Sequence, residues 1–87
     1  MGDVDSKRMS EMEVCAWLAE VFEEPAGALK VETPRHSIVK WDSLGVLTLM
    51  AGLDEKFDLV VSDQEMSSMT KIGDVLALLR QRGKLSG

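Results

Sequence analysis

The chain has 87 residues, of which 45% are apolar and 29% charged, and its formal net charge is −5 at pH 7. This length suits one compact domain with little room for an enclosed active site, and the composition is that of a globular protein rather than a disordered segment. The negative charge argues against a nucleic-acid partner, because a face that binds nucleic acid is basic.

The first helix is predicted over about residues 7–22, with Asp5 or Ser6 as its N-cap. Its apolar residues recur at helical spacing and are Val14, Trp17, Leu18, Val21 and Phe22. Residues 25–41 show no sustained period and predict a long loop. The loop residues expected to pack on the core are Leu29, Val31 and Ile38.

The second helix is predicted from Ser43 to Phe57, with Asp42 as its N-cap. One helical stripe suits the core and contains Val46, Leu49, Met50, Leu53 and Phe57. Nearly opposite lie Leu44, Leu47 and Ala51, bordered by polar and acidic residues. A small bundle has no second core, so this pattern predicts an exposed apolar strip that docks a partner.

The remaining elements complete an all-α prediction. Leu59, Val60 and Val61 indicate an extended buried loop, because no other run in the sequence could pair with them as a strand. Ser62 or Asp63 should cap a short helix to about residue 68, and Thr70 a last helix to about residue 82. We expect a four-helix bundle over residues 7–83, with three main helices, one short helix and a long first loop. Residues 1–6 should be a flexible N-terminus and residues 84–87 a tail.

The acidity is concentrated in one part of the chain. Residues 42–65 hold six acidic side chains and one lysine, a net charge of −5, while the remaining residues together carry none. Such a surface should attract a basic partner.

The residues do not support catalysis or metal binding. The single cysteine, Cys15, excludes an internal disulfide and should be a buried structural thiol, while His36 should be solvated in its polar loop. Asp54, Glu55 and Asp58 lack the alternating oxygen ligands and central glycine of a calcium loop. No run of about 18 apolar residues and no secretory signal is present, so we expect no membrane insertion and a cytoplasmic location.

Ser43 allows two interpretations on local grounds. It could belong to ordinary capping chemistry beside Asp42. Alternatively, a hydroxyl in the first turn of a helix suits a covalently attached phosphate, because free N–H groups and the helix dipole favour negative charge there. The tripeptide Asp42-Ser43-Leu44 does not decide between them.

From Trp41 to Leu85 the sequence resembles the acyl carrier protein family. The matching segments are Asp42-Ser43-Leu44, Leu53-Asp54-Glu55-Lys56-Phe57-Asp58, Val61-Ser62-Asp63-Gln64-Glu65 and Thr70-Lys71-Ile72-Gly73-Asp74-Val75. The resemblance covers about half of the chain at motif level, and the predicted helix order agrees with it from residue 7 onward. This combination is far more specific than the tripeptide.

The resemblance implies that a phosphopantetheinyl transferase attaches 4′-phosphopantetheine from coenzyme A to Ser43, and that the arm carries acyl or aminoacyl groups as thioesters. Asp42 would hold the junction between loop and helix. The implied partners are a loading ligase and acyl-transfer enzymes that read Leu44, Leu47, Thr48, Ala51, Glu55 and Asp58. An interior acyl site would involve Val46, Met50, Leu53, Val61 and Leu76. The protein would be a monomeric, non-enzymatic carrier.

The chain departs from carriers of housekeeping fatty acid synthesis, which tend to have acidic residues where Gly45 and Thr48 stand. This favours a dedicated carrier in a specialised biosynthetic pathway. Trp41 and Gly45 also resemble small standalone carriers, including those for aminoacyl groups. Gly45 either clears space for a partner or the arm, or is tolerated at a helix start, and the sequence leaves both open.

A hypothesis from another class is a non-enzymatic helical adaptor. Its acidic and apolar second helix would bind a partner, and Ser43 would only cap that helix. This hypothesis predicts that Ser43→Ala retains function and loses at most about 1–2 kcal/mol of stability.

Overall fold

The computed structural model describes residues 9–85, which form four α-helices. They are α1 (Glu11–Val21), α2 (Ser43–Phe57), α3 (Asp63–Ser67) and α4 (Ile72–Gln81), with a short 3₁₀-helix (Arg35–Ser37) in the loop before α2. Within residues 9–85 there is no β-strand, and none of the helices is long and apolar enough to cross a membrane. The predicted all-α fold, with three main helices, one short helix and a long first loop, is confirmed.

The helices enclose a single apolar core. α1 packs against both α2 and α4, and the Cα radius of gyration is 12.2 Å. The fully buried side chains recur at helical spacing. Those from the predicted stripes of the first two helices are Val14, Leu18, Phe22, Leu49, Leu53 and Phe57, and those from α4 are Ile72, Val75, Leu76 and Leu79. From the short helix, Met66 is also fully buried.

The predicted start of the first helix is wrong by about four residues. α1 begins at Glu11 because Ser10 forms a capping box: its hydroxyl accepts from the amide of Glu13 at 3.2 Å, and the Glu13 carboxylate accepts from the amide of Ser10 at 2.9 Å. The proposed caps Asp5 and Ser6 lie outside the described residues. Residues 1–6 and the last two residues of the predicted tail also lie outside the described residues. The limits of the domain therefore remain a prediction.

The long loop is attached to the start of α4 by its backbone. The carbonyl of Val31 accepts from the amide of Gly73 at 2.7 Å, and that of Thr33 accepts from the amide of Ile72 at 3.0 Å. These bonds satisfy amides in the first turn of α4, which therefore begins at Ile72 without a side-chain cap. The prediction that Thr70 caps this helix is wrong. Lys71 occupies the cap position, and the Thr70 hydroxyl donates to the Asp74 carboxylate.

Two apolar loop residues are exposed contrary to prediction. The Val31 side chain is 44% exposed because its carbonyl rather than its side chain anchors the loop, whereas Leu29 and Ile38 are buried as expected. After α2, Leu59 and Val61 are buried but Val60 is 78% exposed. Successive side chains of an extended segment point to opposite sides, so only alternate residues reach the core.

Candidate functional site

Ser43 is the first residue of α2, and its side chain is exposed. The N-cap is Asp42, whose Oδ1 accepts from the amide of Gly45 at 2.9 Å, as predicted. The carbonyl of Asp42 accepts from the amide of Val46 at 2.8 Å. Within residues 9–85 the Ser43 hydroxyl forms no hydrogen bond, so the interpretation of Ser43 as the helix cap is wrong.

The first turn of α2 favours a negative charge. No described residue accepts a hydrogen bond from the amides of Ser43 or Leu44, and no acidic residue lies in this turn after the Asp42 cap. Unpaired amides at a helix N-terminus, together with the helix dipole, stabilise anions. An anionic group on the Ser43 hydroxyl would therefore be placed where the backbone stabilises it.

Gly45 is buried against the end of the loop. An ideal Cβ at this position would lie 1.9 Å from the carbonyl oxygen of Lys40, a separation that no side chain tolerates. Neither sequence interpretation anticipated this contact. The missing side chain makes room for the chain's own backbone, and it lets the loop end pass directly against the first turn of α2.

Trp41 and Arg35 connect the loop to α1 and α3. The buried indole of Trp41 stacks on Phe22, with ring centroids 5.0 Å apart. The Arg35 guanidinium lies 5.3 Å from the indole centroid, and its Nε donates to the Trp41 carbonyl at 3.5 Å. Its Nη1 donates to the carbonyls of Met66 and Met69, each at 3.4 Å. Arg35 thereby joins the segment before Ser43 to the end of α3.

A groove of about 350 Å³ opens beside Ser43, between α2 and α3. Its lining residues are Arg35, Ser43, Val46, Leu47, Asp63, Met66 and Ser67. Val46 was predicted on the core face, but it is only partly buried because it faces this groove. The groove has no local pattern in the sequence, since its lining residues come from three separate segments.

The predicted docking strip on α2 is exposed. Leu44 is 71% and Leu47 60% exposed, and Ala51 is also exposed. Thr48 lies among them and donates its hydroxyl to the Leu44 carbonyl at 3.0 Å. Glu55 and Asp58 are exposed further along the helix, so the acidic part of the surface lies away from Ser43. The structure thus exposes all six of these residues, five on α2 and Asp58 at its C-cap.

The residues suggested for an interior acyl site are divided between the packed core and the groove beside Ser43. Leu53, Val61 and Leu76 are buried in the packed core, Met50 is partly buried, and of the five only Val46 lines the groove beside Ser43. The interior acyl site remains a prediction.

Cys15 on α1 and His36 in the 3₁₀-helix line different recesses and form no hydrogen bond with each other. Cys15 is only partly buried, which corrects the prediction of a buried thiol, and its burial raises the pKa of the thiol and disfavours the thiolate. His36 is exposed in the 3₁₀-helix, as expected. Among residues 9–85, no group of three or more His, Cys, Asp or Glu side chains could hold a metal ion.

Comparison with known proteins identifies relatives that span most of the chain. A meromycolate extension acyl carrier protein of Mycolicibacterium aurum is 30% identical over 76 residues, which cover 83% of this chain and 78% of that protein. The acyl carrier protein of Kineococcus radiotolerans is 26% identical over 76 residues, covering 83% and 94%. That of Kocuria rhizophila is 28% identical over 71 residues, covering 77% and 88%. No protein-family model matches the chain.

Proposed function

Because the chain belongs to the acyl carrier protein family, we propose that it carries acyl groups as thioesters on a 4′-phosphopantetheine arm attached to Ser43. The observation that supports this most directly is the Ser43 hydroxyl, which is exposed in the first turn of α2 without a hydrogen-bond partner among the described residues. Since Asp42 caps the helix, modification of Ser43 leaves the cap intact.

The residues around Ser43 fit this group. In the transferase reaction the Ser43 Oγ would lose its proton and bond to phosphorus, while adenosine 3′,5′-bisphosphate leaves from coenzyme A. The resulting phosphodiester is anionic, and the first turn of α2 offers free amides to it. When attached, the arm supplies a terminal thiol that forms the thioester. Apart from Ser43, whose Oγ is the acceptor in the transferase step, the residues of this chain would position the arm and present the α2 surface to the enzymes that carry out the chemistry.

The surface of α2 supports recognition by enzymes with an apolar centre and a basic edge. The exposed apolar residues closest to Ser43 are Leu44 and Leu47, and the acidic residues Glu55 and Asp58 follow along the same element. We propose that this surface docks a phosphopantetheinyl transferase, a loading ligase and acyl-transfer enzymes. Its neutral start favours dedicated partners in a specialised pathway.

The relatives favour acyl over aminoacyl cargo, since all three described above are named for acyl carriage. The adaptor hypothesis loses its main local argument, because the residue that it assigned as a cap is not the cap.

Loading with acetyl-coenzyme A and a broad-specificity transferase tests the thioester directly. Intact mass should rise by one acetyl-phosphopantetheine, and hydroxylamine, which cleaves thioesters, should then remove only the acetyl group. A mass that never changes under several transferases would contradict the proposal, as would an acetyl group that resists hydroxylamine.

A further inference from the structure

We propose that Arg35 binds the phosphodiester of the arm on Ser43 and holds the root of the arm in the groove between α2 and α3. This inference rests on the proposed function, and it assigns a specific ligand contact to a loop residue that carried no recognisable signal in the sequence.

Two recesses flank the start of α2, and only one of them includes Ser43. The groove on the α3 side has a volume of about 350 Å³ and is lined by Ser43 and Arg35. The recess on the α1 side is smaller, about 120 Å³, and its lining includes Lys40, Asp42 and Leu44 but not Ser43. A group attached to the Ser43 hydroxyl therefore has access to the larger groove, which Arg35 also lines.

The charges on the two sides also differ. Lys40 forms an ion pair with Glu23, their Nζ and Oε1 atoms lying 3.7 Å apart. Arg35 forms no ion pair with a carboxylate of residues 9–85. Its three hydrogen bonds instead go to backbone carbonyls, which carry no net charge. Its positive charge is thus not neutralised by these partners, and an anion that enters the groove would meet it.

The guanidinium retains a donor for this anion. Nε and Nη1 are used by backbone carbonyls, whereas Nη2 donates to none of the described residues. The carbonyls and the Trp41 ring hold the guanidinium in place, so little conformational entropy is lost when a phosphate binds. A hydrogen bond from a guanidinium to phosphate oxygen is charge-assisted and strong.

Three of the other groove residues suit the pantetheine portion of the arm, and a fourth, Asp63, weakens the attraction between Arg35 and the phosphodiester. Val46, Leu47 and Met66 supply an apolar wall for the uncharged pantetheine portion. Asp63 also lines the groove, and its negative carboxylate would repel the negative phosphodiester. Removal of that charge by Asp63→Asn should therefore strengthen the contact.

Phosphorus NMR of the modified protein tests the contact without any partner enzyme. The 31P resonance of the native modified protein is compared with that of the same protein unfolded in urea, which gives the shift of a free arm. We expect a distinct native shift that moves toward the free value in Arg35→Met, where only the amides of the first turn of α2 remain, and stays in place in the control Lys40→Met. Arg35→Lys should give an intermediate shift. A native shift equal to the free value overturns the proposal, and so does an unchanged shift in folded Arg35→Met.

A salt titration keeps the test decisive if Arg35→Met does not fold. Raising the ionic strength from about 0.01 M to about 1 M shortens the Debye length from about 30 Å to about 3 Å. In the wild-type modified protein, the 31P shift should move toward the free value while far-UV circular dichroism stays constant. A salt-independent shift contradicts the contact. Failure of the proposed function is distinguishable, because then no protein-bound 31P signal appears.

Discussion

The indole of Trp41 lies nearly parallel to the ring of Phe22, with an interplanar angle of 18° and centroids 5.0 Å apart. Phe22 caps the C-terminus of α1, and Trp41 lies two residues before Ser43. This stack ties the end of the long loop to the core and so helps to fix where α2 begins.

Replacement of Trp41 should separate ring packing from hydrogen bonding. The indole Nε1 is buried and has no partner among residues 9–85, so Trp41→Phe removes no hydrogen bond and should cost less than Trp41→Ala. The alanine variant should lose about 3–5 kcal/mol, the usual range for large aromatic residues in a core. Urea unfolding measures the free energy of unfolding of the two variants. Equal losses in Trp41→Phe and Trp41→Ala would show that an aromatic ring at this position contributes little to stability.

Gly45→Ala should destabilise the protein, although alanine favours a helix by about 1 kcal/mol over glycine. The added Cβ would meet the Lys40 carbonyl, and such steric strain typically costs about 1–3 kcal/mol. Ala51→Gly, at an exposed position of the same helix, is the matched control and should lose about 1 kcal/mol from helix propensity alone. Chemical denaturation compares them, and a more stable Gly45→Ala protein would show that the close approach is absent.

The exposed apolar strip of α2 should affect transfer reactions more than stability. Leu44→Ala and Leu47→Ala change exposed side chains, so the free energy of unfolding should stay within about 0.5 kcal/mol. Loss of apolar contact at the centre of a docked surface should nevertheless lower kcat/KM of the transferase by about 10-fold, corresponding to about 1.4 kcal/mol. Met12→Ala is the control, since Met12 is 82% exposed on α1. Equal kinetic effects of all three substitutions would argue against a specific docking strip.

The start of α3 should confer a pH dependence on stability. A hydrogen bond from the backbone amide of Ser62 is the main cause that lowers the pKa of Glu65 below its ordinary value of 4.5, and nearby Arg82 lowers it further. Because the pKa is lower in the folded state, this carboxylate stabilises the protein above pH 4.5, and that contribution is lost as the pH falls through the folded pKa. In Glu65→Gln the denaturation midpoint should fall less steeply over this acid range. Parallel acid profiles for the two proteins would contradict this assignment.

Helical periodicity predicts most of the core here. In the α2 stripe Leu49, Leu53 and Phe57 are fully buried as predicted, whereas Val46 and Met50 are only partly buried. Local capping is less well predicted. Ser10-Glu11-Met12-Glu13 carries a capping-box pattern that separates Ser10 from Ser6, whereas nothing local shows that the loop would replace a side-chain cap on α4.

The groove beside Ser43 could not be predicted from the sequence, because it depends on contacts between distant residues. Arg35 reaches the carbonyls of Met66 and Met69, which are 31 and 34 residues away. Gly45 is constrained by Lys40 only because the loop turns back against the helix. Motifs alone were enough to propose Ser43 as the attachment residue, but the charge and shape of its surroundings required the fold.

The central claim, that Ser43 is the attachment point, is tested most directly by intact-mass measurement after incubation with coenzyme A and a broad-specificity transferase. The wild-type protein should gain one 4′-phosphopantetheine, and Ser43→Ala should gain none. Ser67→Ala is the matched control, because Ser67 is another exposed serine that lines the same groove, and it should be modified as fully as the wild type. Modification of Ser43→Ala, or a wild-type protein that no transferase modifies, would contradict the account.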